Sequence, residues 1–302
     1  MIKKGGCALL LMLRLWVTLW LAVVLTASVQ AQVSAVDVRD KTLVLPQKAL
    51  RVISLAPSIT ELLFSAGAAE TLVGAVEYSD FPAAAEKIPR VGSYANFDYE
   101  RISQLKPDLI IGWQSGNPAE KIAHLERLGF KVFLIEPRRL DDLIKSVQQF
   151  ALLAGNAAQA QASIDTFNGV VKPLQTRAKR ALPTPVFYQI WHQPLMTLNN
   201  QHLFSEMLEH CGGNNVFGTL APLAPKVDIE AVLKANPEVI IASGMDASRP
   251  EWLDQWGRWP QISAVKKGNL FFIPPDLLQR QSLRVAEGMR LLCEAIDKTN
   301  RG

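Results

Sequence analysis

The amino-acid sequence predicts an α/β protein built as two Rossmann-like lobes joined by a single long α-helix. Three observations predict this. Short apolar runs of strand length alternate with helical patterns from residue 51 to about 155, and again from about 185 to the end. Between these stretches lies a segment with helical spacing and no strand signal. One pattern, "DYERISQLKPDLIIGW" from Asp98 to Trp113, also returns with the same offsets as "DIEAVLKANPEVIIAS" from Asp228 to Ser243.

The first 31 residues of the 302 read as a cleaved secretory signal peptide. Lys3, Lys4 and Arg14 form a basic start, Leu15 to Leu25 an apolar stretch, and Val29 and Ala31 offer small side chains for cleavage after Ala31. A retained membrane anchor would need roughly 18 to 20 apolar residues, and Arg14 breaks the run. Cleavage removes three basic residues and no acidic ones, so the formal charge of +4 falls to +1. With no basic run left, nucleic acid is excluded as a partner. Cys7 leaves with the signal. Cys211 and Cys293 remain, and an even pair in an oxidising compartment reads as a disulfide, the alternative being two unrelated buried thiols.

Residues 32–49 form an N-terminal extension, and the first lobe runs from 50 to 155. "RVISL" (51–55) is its first strand. "PSITELLFSAG" follows, with Ser58 and Glu61 spaced as a capping box and Gly67 closing the helix. "LVGAVE", "DLIIGW" and "KVFLIE" are further strands, separated by helices around Ile102 to Leu105 and Glu120 to Leu128. Apolar runs of this kind suit strands buried on both faces of a parallel sheet. Asp141 and Asp142 suit a helix start, where the dipole favours acids. Residues 156–181 predict the linker helix, with Ile164, Phe167, Val170, Val171 and Leu174 on one side and a kink at Pro173. About 25 helical residues would span about 38 Å, a stiff connection. The second lobe, 182–302, repeats the grammar with "PVFYQI", the helices "LFSEMLEHCGG" and "IEAVLKAN", and the strands "EVIIAS" and "LFFIPP".

In the repeated module Asp98 matches Asp228, Glu100 matches Glu230 and Pro107 matches Pro237, while "ELLFSAG" ending at Gly67 echoes "EMLEHCG" ending at Gly212. Approximate internal symmetry explains this, with chance matching of a degenerate pattern as the alternative. No nucleophile elbow, phosphate loop, dinucleotide fingerprint or zinc-protease motif occurs. His124, His192, His202 and His210 sit on separate elements. His202 and His210 could share a helix face, but a zinc site would lack its third ligand.

Two α/β lobes, one long helix and a signal peptide resemble the periplasmic substrate-binding proteins of ATP-driven importers, in the class with a rigid helical linker. The resemblance runs from about Arg51 to the end of the chain. Within it, "RVISLAPSITELLFSAG", "EYSDFP", "ERISQLKPDLIIGW", "LEHCGGNNVF" and "DLLQR" are similar to the cobalamin-binding branch, "EYSDFP" and the Cys211/Cys293 pair most specifically. The resemblance implies a ligand cleft between the lobes, cobalamin or a related corrinoid as cargo, no resident cofactor or metal, and no enzymatic activity. It also implies a periplasmic location, a monomer when free, and a two-fold symmetric ABC importer permease in the inner membrane as partner. It places Tyr78, Tyr94 and Trp113 against the ligand from the first lobe, and Asp276, Leu277, Leu278, Gln279 and Arg280 from the second. Aromatic faces with a few polar ends suit a wide ring with apolar faces and peripheral amides. Glu100 and Glu230 it gives to docking, one acid per lobe against an arginine cluster on each permease half. The helix dipole is by itself a sufficient local reason for an acid at either place.

The second lobe departs from the family pattern. "LAPLAPK" supplies only Leu223 and Ala224 where an aromatic is expected, and Trp191 in "QIWHQP" reads as a buried core tryptophan, with a place on the cleft wall as the alternative. A siderophore or haem carrier of the same fold is therefore the rival reading. Arg280 and Arg249 would meet an anionic ferric complex, and Tyr78 or Tyr94 would ligate haem iron. An unrecognised periplasmic enzyme is the third reading, for which the sequence names no catalytic group.

Overall fold

The structure is a computed structural model that describes residues 32–177, 182–244 and 248–299. The expected signal peptide, 1–31, lies outside the described residues, as do positions 178–181 at the end of the expected linker helix. The chain enters as an antiparallel hairpin of β1 (Val33–Val36) and β2 (Thr42–Leu45). Alternation puts Val33, Ala35, Leu43 and Leu45 into the core. Arg39 then ties the hairpin to the first lobe, bridging the buried Asp37 at 2.5 Å and Glu126 at 3.0 Å.

The first lobe comprises β3 (Val52–Ser54), α1 (Pro57–Ser65), β4 (Leu72–Ala75), α2 (Tyr99–Gln104), β5 (Leu109–Trp113), α3 (Ala119–Arg127), β6 (Val132–Ile135) and α4 (Leu140–Leu153). Its parallel sheet has the order β4-β3-β5-β6. After α5 (Ala157–Gln175) come β7 (Thr184–Gln189), α6 (Leu203–His210), β8 (Gly213–Asn215), α7 (Ile229–Ala235), β9 (Val239–Ala242), α8 (Ser263–Lys266), β10 (Leu270–Phe272), α9 (Pro275–Leu278) and α10 (Val285–Lys298). These strands form a second parallel sheet, β10-β9-β7-β8. In both lobes the strands lie in the order second, first, third, fourth.

The internal symmetry extends to single hydrogen bonds. Asp98 and Asp228 cap α2 and α7, accepting from the Arg101 N–H at 2.9 Å and the Ala231 N–H at 2.7 Å. Lys106 (φ 43°) and Asn236 (φ 44°) then turn left-handed immediately before Pro107 and Pro237, which stops each helix and aims the chain into its strand. Asp108 and Glu238 enter their sheets by donating to the Arg51 and Pro185 carbonyls. Gly67 and Gly212, both at positive φ, end the helices they were expected to end.

Two expectations are corrected. Ser58 and Glu61 do not form a capping box. Helix α1 begins one residue earlier, with Ala56 as its cap and Pro57 in the first turn, where a missing N–H costs nothing. Glu61 consequently lies on the buried face. The linker helix is shorter than 156–181: Asn156 caps it, accepting from the Ala158 and Gln159 N–H groups, and it ends at Gln175 with Pro173 inside. Its 19 residues span about 28 Å. It is also no bare strut, because Ala160, Ile164, Phe167 and Val171 bury it against α4 of one lobe and α10 of the other. A second tie between lobes lies beside it, where Glu206 of α6 accepts from the Leu140 N–H at 2.8 Å and pairs with Arg139 at 2.9 Å.

Cys211 and Cys293 form the expected disulfide, joining the end of α6 to α10. The bridged residues are 82 apart in sequence, and closing such a loop should stabilise the fold by about 4 kcal/mol. Reduction is expected to lower the urea midpoint accordingly, and an unchanged midpoint would show that the tie carries no stability.

His202 gives a second prediction. Its Nδ1 accepts from the Phe204 N–H at 3.1 Å as the cap of α6, and burial, with Arg138 nearby, pushes its pKa from 6.5 down to about 4. Folding thus disfavours protonation of this ring. The resulting stability is complete above pH 6.5 and is lost as pH falls toward about 4. Urea unfolding of His202→Asn, which keeps an acceptor for the cap, should show a flatter pH dependence across that window than the wild type.

Candidate ligand-binding cleft

In a parallel sheet every strand ends on the same edge, and loops leaving that edge converge. The expected ligand residues of the first lobe all lie there. Trp113 ends β5, Tyr78 lies in the loop after β4, and Tyr94 lies in the loop leading to α2. One buried amide organises them. Asn117 accepts from the Trp113 N–H at 2.7 Å and donates to the carbonyls of Leu55 at 2.9 Å and Tyr94 at 2.8 Å, so the ends of β3 and β5 and the Tyr94 loop share one anchor. A Cβ on Gly116 would overlap the Trp113 ring, and only glycine fits. Tyr78 is 71% exposed and Tyr94 50% exposed, so both rings are free to meet a ligand. Tyr78 also sits at φ 62°, a left-handed conformation unusual for a bulky residue. Its neighbour holds the turn, with Ser79 Oγ accepting from Thr60 and its carbonyl accepting from Arg90. The Trp113 indole Nε1 is a buried donor with no acceptor in reach.

The second lobe repeats this with other residues. Tyr188 donates to Ser243 Oγ at 3.0 Å, and Ser243 donates to the Ile273 carbonyl at 2.7 Å, which joins the ends of β7, β9 and β10. Burial pushes the Tyr188 phenol well up, so it stays neutral, and the ring stacks on Phe204. Past β10 the chain forms α9 and the 276–280 loop. Asp276, Leu277, Gln279 and Arg280 are half-buried at this edge. Leu278 is turned fully into the core by this short helix. Trp191 is a correction. It lies directly past the end of β7, 38% exposed, with Nε1 donating to the Gln193 carbonyl, and is not a core residue. The core position belongs to Trp256, whose Nε1 donates to the buried Gln189 side chain at 2.7 Å.

The two edges meet. Arg280 reaches Asp80, in the "EYSDFP" loop of the first lobe, at 2.6 Å, Asp276 at 3.0 Å and Glu61 at 3.3 Å. Arg284 reaches Glu61 at 3.2 Å and lies 4.0 Å over the Phe81 ring. Glu61 and Arg284 were not expected at this site. The only sequence signal was a second arginine four residues after "DLLQR" and a charged residue on the apolar face of α1. Arg249, the other arginine considered for an anionic ligand, is paired with Asp254 at 2.8 and 2.6 Å. Glu100 and Glu230 are exposed in the first turns of α2 and α7, Glu100 accepting from Gln104 at 3.2 Å. Among the described residues no group of three His, Cys, Asp or Glu could hold a metal ion, and no helix is long and apolar enough to cross a membrane.

The family described as periplasmic binding protein matches residues 52–277 of this chain. The vitamin B12-binding protein of Yersinia pseudotuberculosis is 37% identical over 262 residues, which are 86% of this chain and 91% of that protein. The protein of the same name from Vibrio cholerae is 33% identical over 249 residues, 82% of this chain and 89% of its own. The crystal structure of the periplasmic vitamin B12-binding protein of Vibrio cholerae superposes with a TM-score of 0.76 at 32% identity, covering 84% of this chain and 99% of that one. A periplasmic haem-binding protein in complex with two haems has a TM-score of 0.71 at 20% identity, covering 82% of this chain and 98% of its own, a likeness of fold alone.

Proposed function

The chain belongs to the periplasmic binding protein family, and from that premise we propose that it captures cobalamin or a close corrinoid between its lobes in the periplasm and delivers it to an inner-membrane ABC importer. The relatives named vitamin B12-binding protein support this over most of the chain's length. The observation that carries the choice of ligand is the pairing of the two arginines that an anionic ligand would need. Arg280 and Arg249 are both engaged by carboxylates, while Tyr78, Tyr94 and Trp191 stand exposed. A ferric siderophore or the propionates of haem would need free cations. A wide ring without net charge, such as cyanocobalamin, needs aromatic faces and a few polar ends, which suits the exposed rings at these edges.

The protein should bind one cyanocobalamin as a monomer in calorimetric titration. Tyr78→Ala and Trp113→Ala are each expected to weaken binding by about 1 to 3 kcal/mol. No heat and no competition from cyanocobalamin would reject the ligand.

Delivery gives Glu100 and Glu230 their proposed role. They stand at equivalent places on two pseudo-equivalent lobes, which suits a two-fold permease with one basic patch per half. Charge pairs of this sort chiefly guide encounter and register. Glu100→Arg combined with Glu230→Arg should therefore keep ligand affinity and melting temperature while abolishing uptake in membrane vesicles. Wild-type uptake by the double variant would leave the repeated acids with only their helix-dipole role.

A further inference from the structure

A glutamate is buried at the root of the cleft. Glu61 belongs to the first lobe and is 3% exposed, yet the polar side chains that meet its carboxylate all come from the second. Ser282 donates at 2.6 Å, and Arg284 and Arg280 lie at 3.2 and 3.3 Å. The same two arginines are gripped a second time by the "EYSDFP" loop, Arg280 through Asp80 and Arg284 through the face of Phe81. Asp276 adds its carboxylate within the second lobe, at 3.0 Å from Arg280 and 3.9 Å from Arg284. Three carboxylates and two guanidiniums therefore meet across the joint.

Such a cluster is a poor source of stability, because desolvation offsets most of the attraction. What it supplies is geometry. On its hinge side lies an open cavity of about 300 Å³, lined by Phe64, Gln159, Ser163 and Leu283 as well as by Glu61 and Arg284 themselves. Beside this open space Arg284 is held by the Phe81 face and by Glu61, and Arg280 by the carboxylates of Asp80, Asp276 and Glu61. Arg280 is also the last residue of the loop that closes the second wall, and whatever orients its guanidinium orients that loop.

We propose that Glu61 is a positioning residue for the cleft: its carboxylate reaches across the joint, fixes Arg280 and Arg284, sets the angle between the lobes and presents the 276–280 loop to the ligand. The ligand in this statement rests on the corrinoid reading; the geometry does not. The titrating and charged groups that face Glu61 are Arg280, Arg284, Asp80 and Asp276, with Glu287 on the far side of Arg284; Gln159 and Ser163, facing it from α5, carry no charge. Burial raises the Glu61 carboxyl above its ordinary value of 4.5, against the pull of Ser282 and the arginines, while the hydrogen bond from Arg280 lowers Asp80 below 3.8.

The test compares the wild type with Glu61→Gln in calorimetric titrations with cyanocobalamin at neutral pH. Glu61→Gln should bind about tenfold more weakly. A variant that binds like the wild type overturns the proposal. Should Glu61→Gln fail to fold, Arg284→Gln removes a partner from the more exposed side and is judged by the same outcome. Spin labels at Gln104→Cys and Lys234→Cys, exposed on opposite lobes, read the joint without any ligand. Glu61→Gln should broaden the distance distribution between them, and an unchanged distribution overturns the proposal. If the distribution broadens and wild-type protein binds no cyanocobalamin, the corrinoid reading falls and the role of Glu61 at the joint stands.

Discussion

The cleft depends on parallel strands that end side by side. Because each lobe has an all-parallel sheet, every loop at one edge leaves in the same direction, and the two edges are turned toward each other. The contact from Asp80, past β4, to Arg280, past β10, shows how near they come at the root. Each edge is then stiffened by buried polar side chains. Asn117 does this in the first lobe and Tyr188 with Ser243 in the second, binding the ends of strands that the sheet alone would leave free to fray. Backbone fixed in this way at the strand ends needs less ordering when something binds there.

The joint is firm because it is packed as well as charged. One apolar core runs from the hairpin through α1, α4 and α5 into α6 and α10, so the lobes share buried surface and are not merely tethered. Glu206 ties α6 to the start of α4, and the disulfide ties α6 to α10. The Glu61 cluster lies at the root of the cleft, where charged contacts across the joint border an open cavity.

Much of this architecture was legible in the sequence because its signals are local. Short apolar runs named the strands, and the two copies of the module revealed a symmetry that reaches the caps Asp98 and Asp228 and the left-handed residues Lys106 and Asn236. Where local signals have two meanings, the reading failed. Ser58 and Glu61 have the spacing of a capping box, but a proline in the first turn moves the helix start and makes the same glutamate a buried residue. Trp191 and Trp256 are both tryptophans among apolar neighbours, and only the path of the chain past β7 decides which one the core takes. In "DLLQR" the family motif marks five residues for the ligand, whereas a short helix turns Leu278 inward. The pairing of Glu61 with Arg280 and Arg284 was out of reach, since these partners lie 219 and 223 residues away and no periodicity records contacts at that range.

The claim that a corrinoid is held between the two lobes is tested most directly by hydrogen exchange of the protein with and without cyanocobalamin. Protection is expected to appear together on both edges, in the loops after β4 and β5, before α2, after β7 and through 276–280. Protection confined to one lobe, or none at saturating ligand, would contradict it.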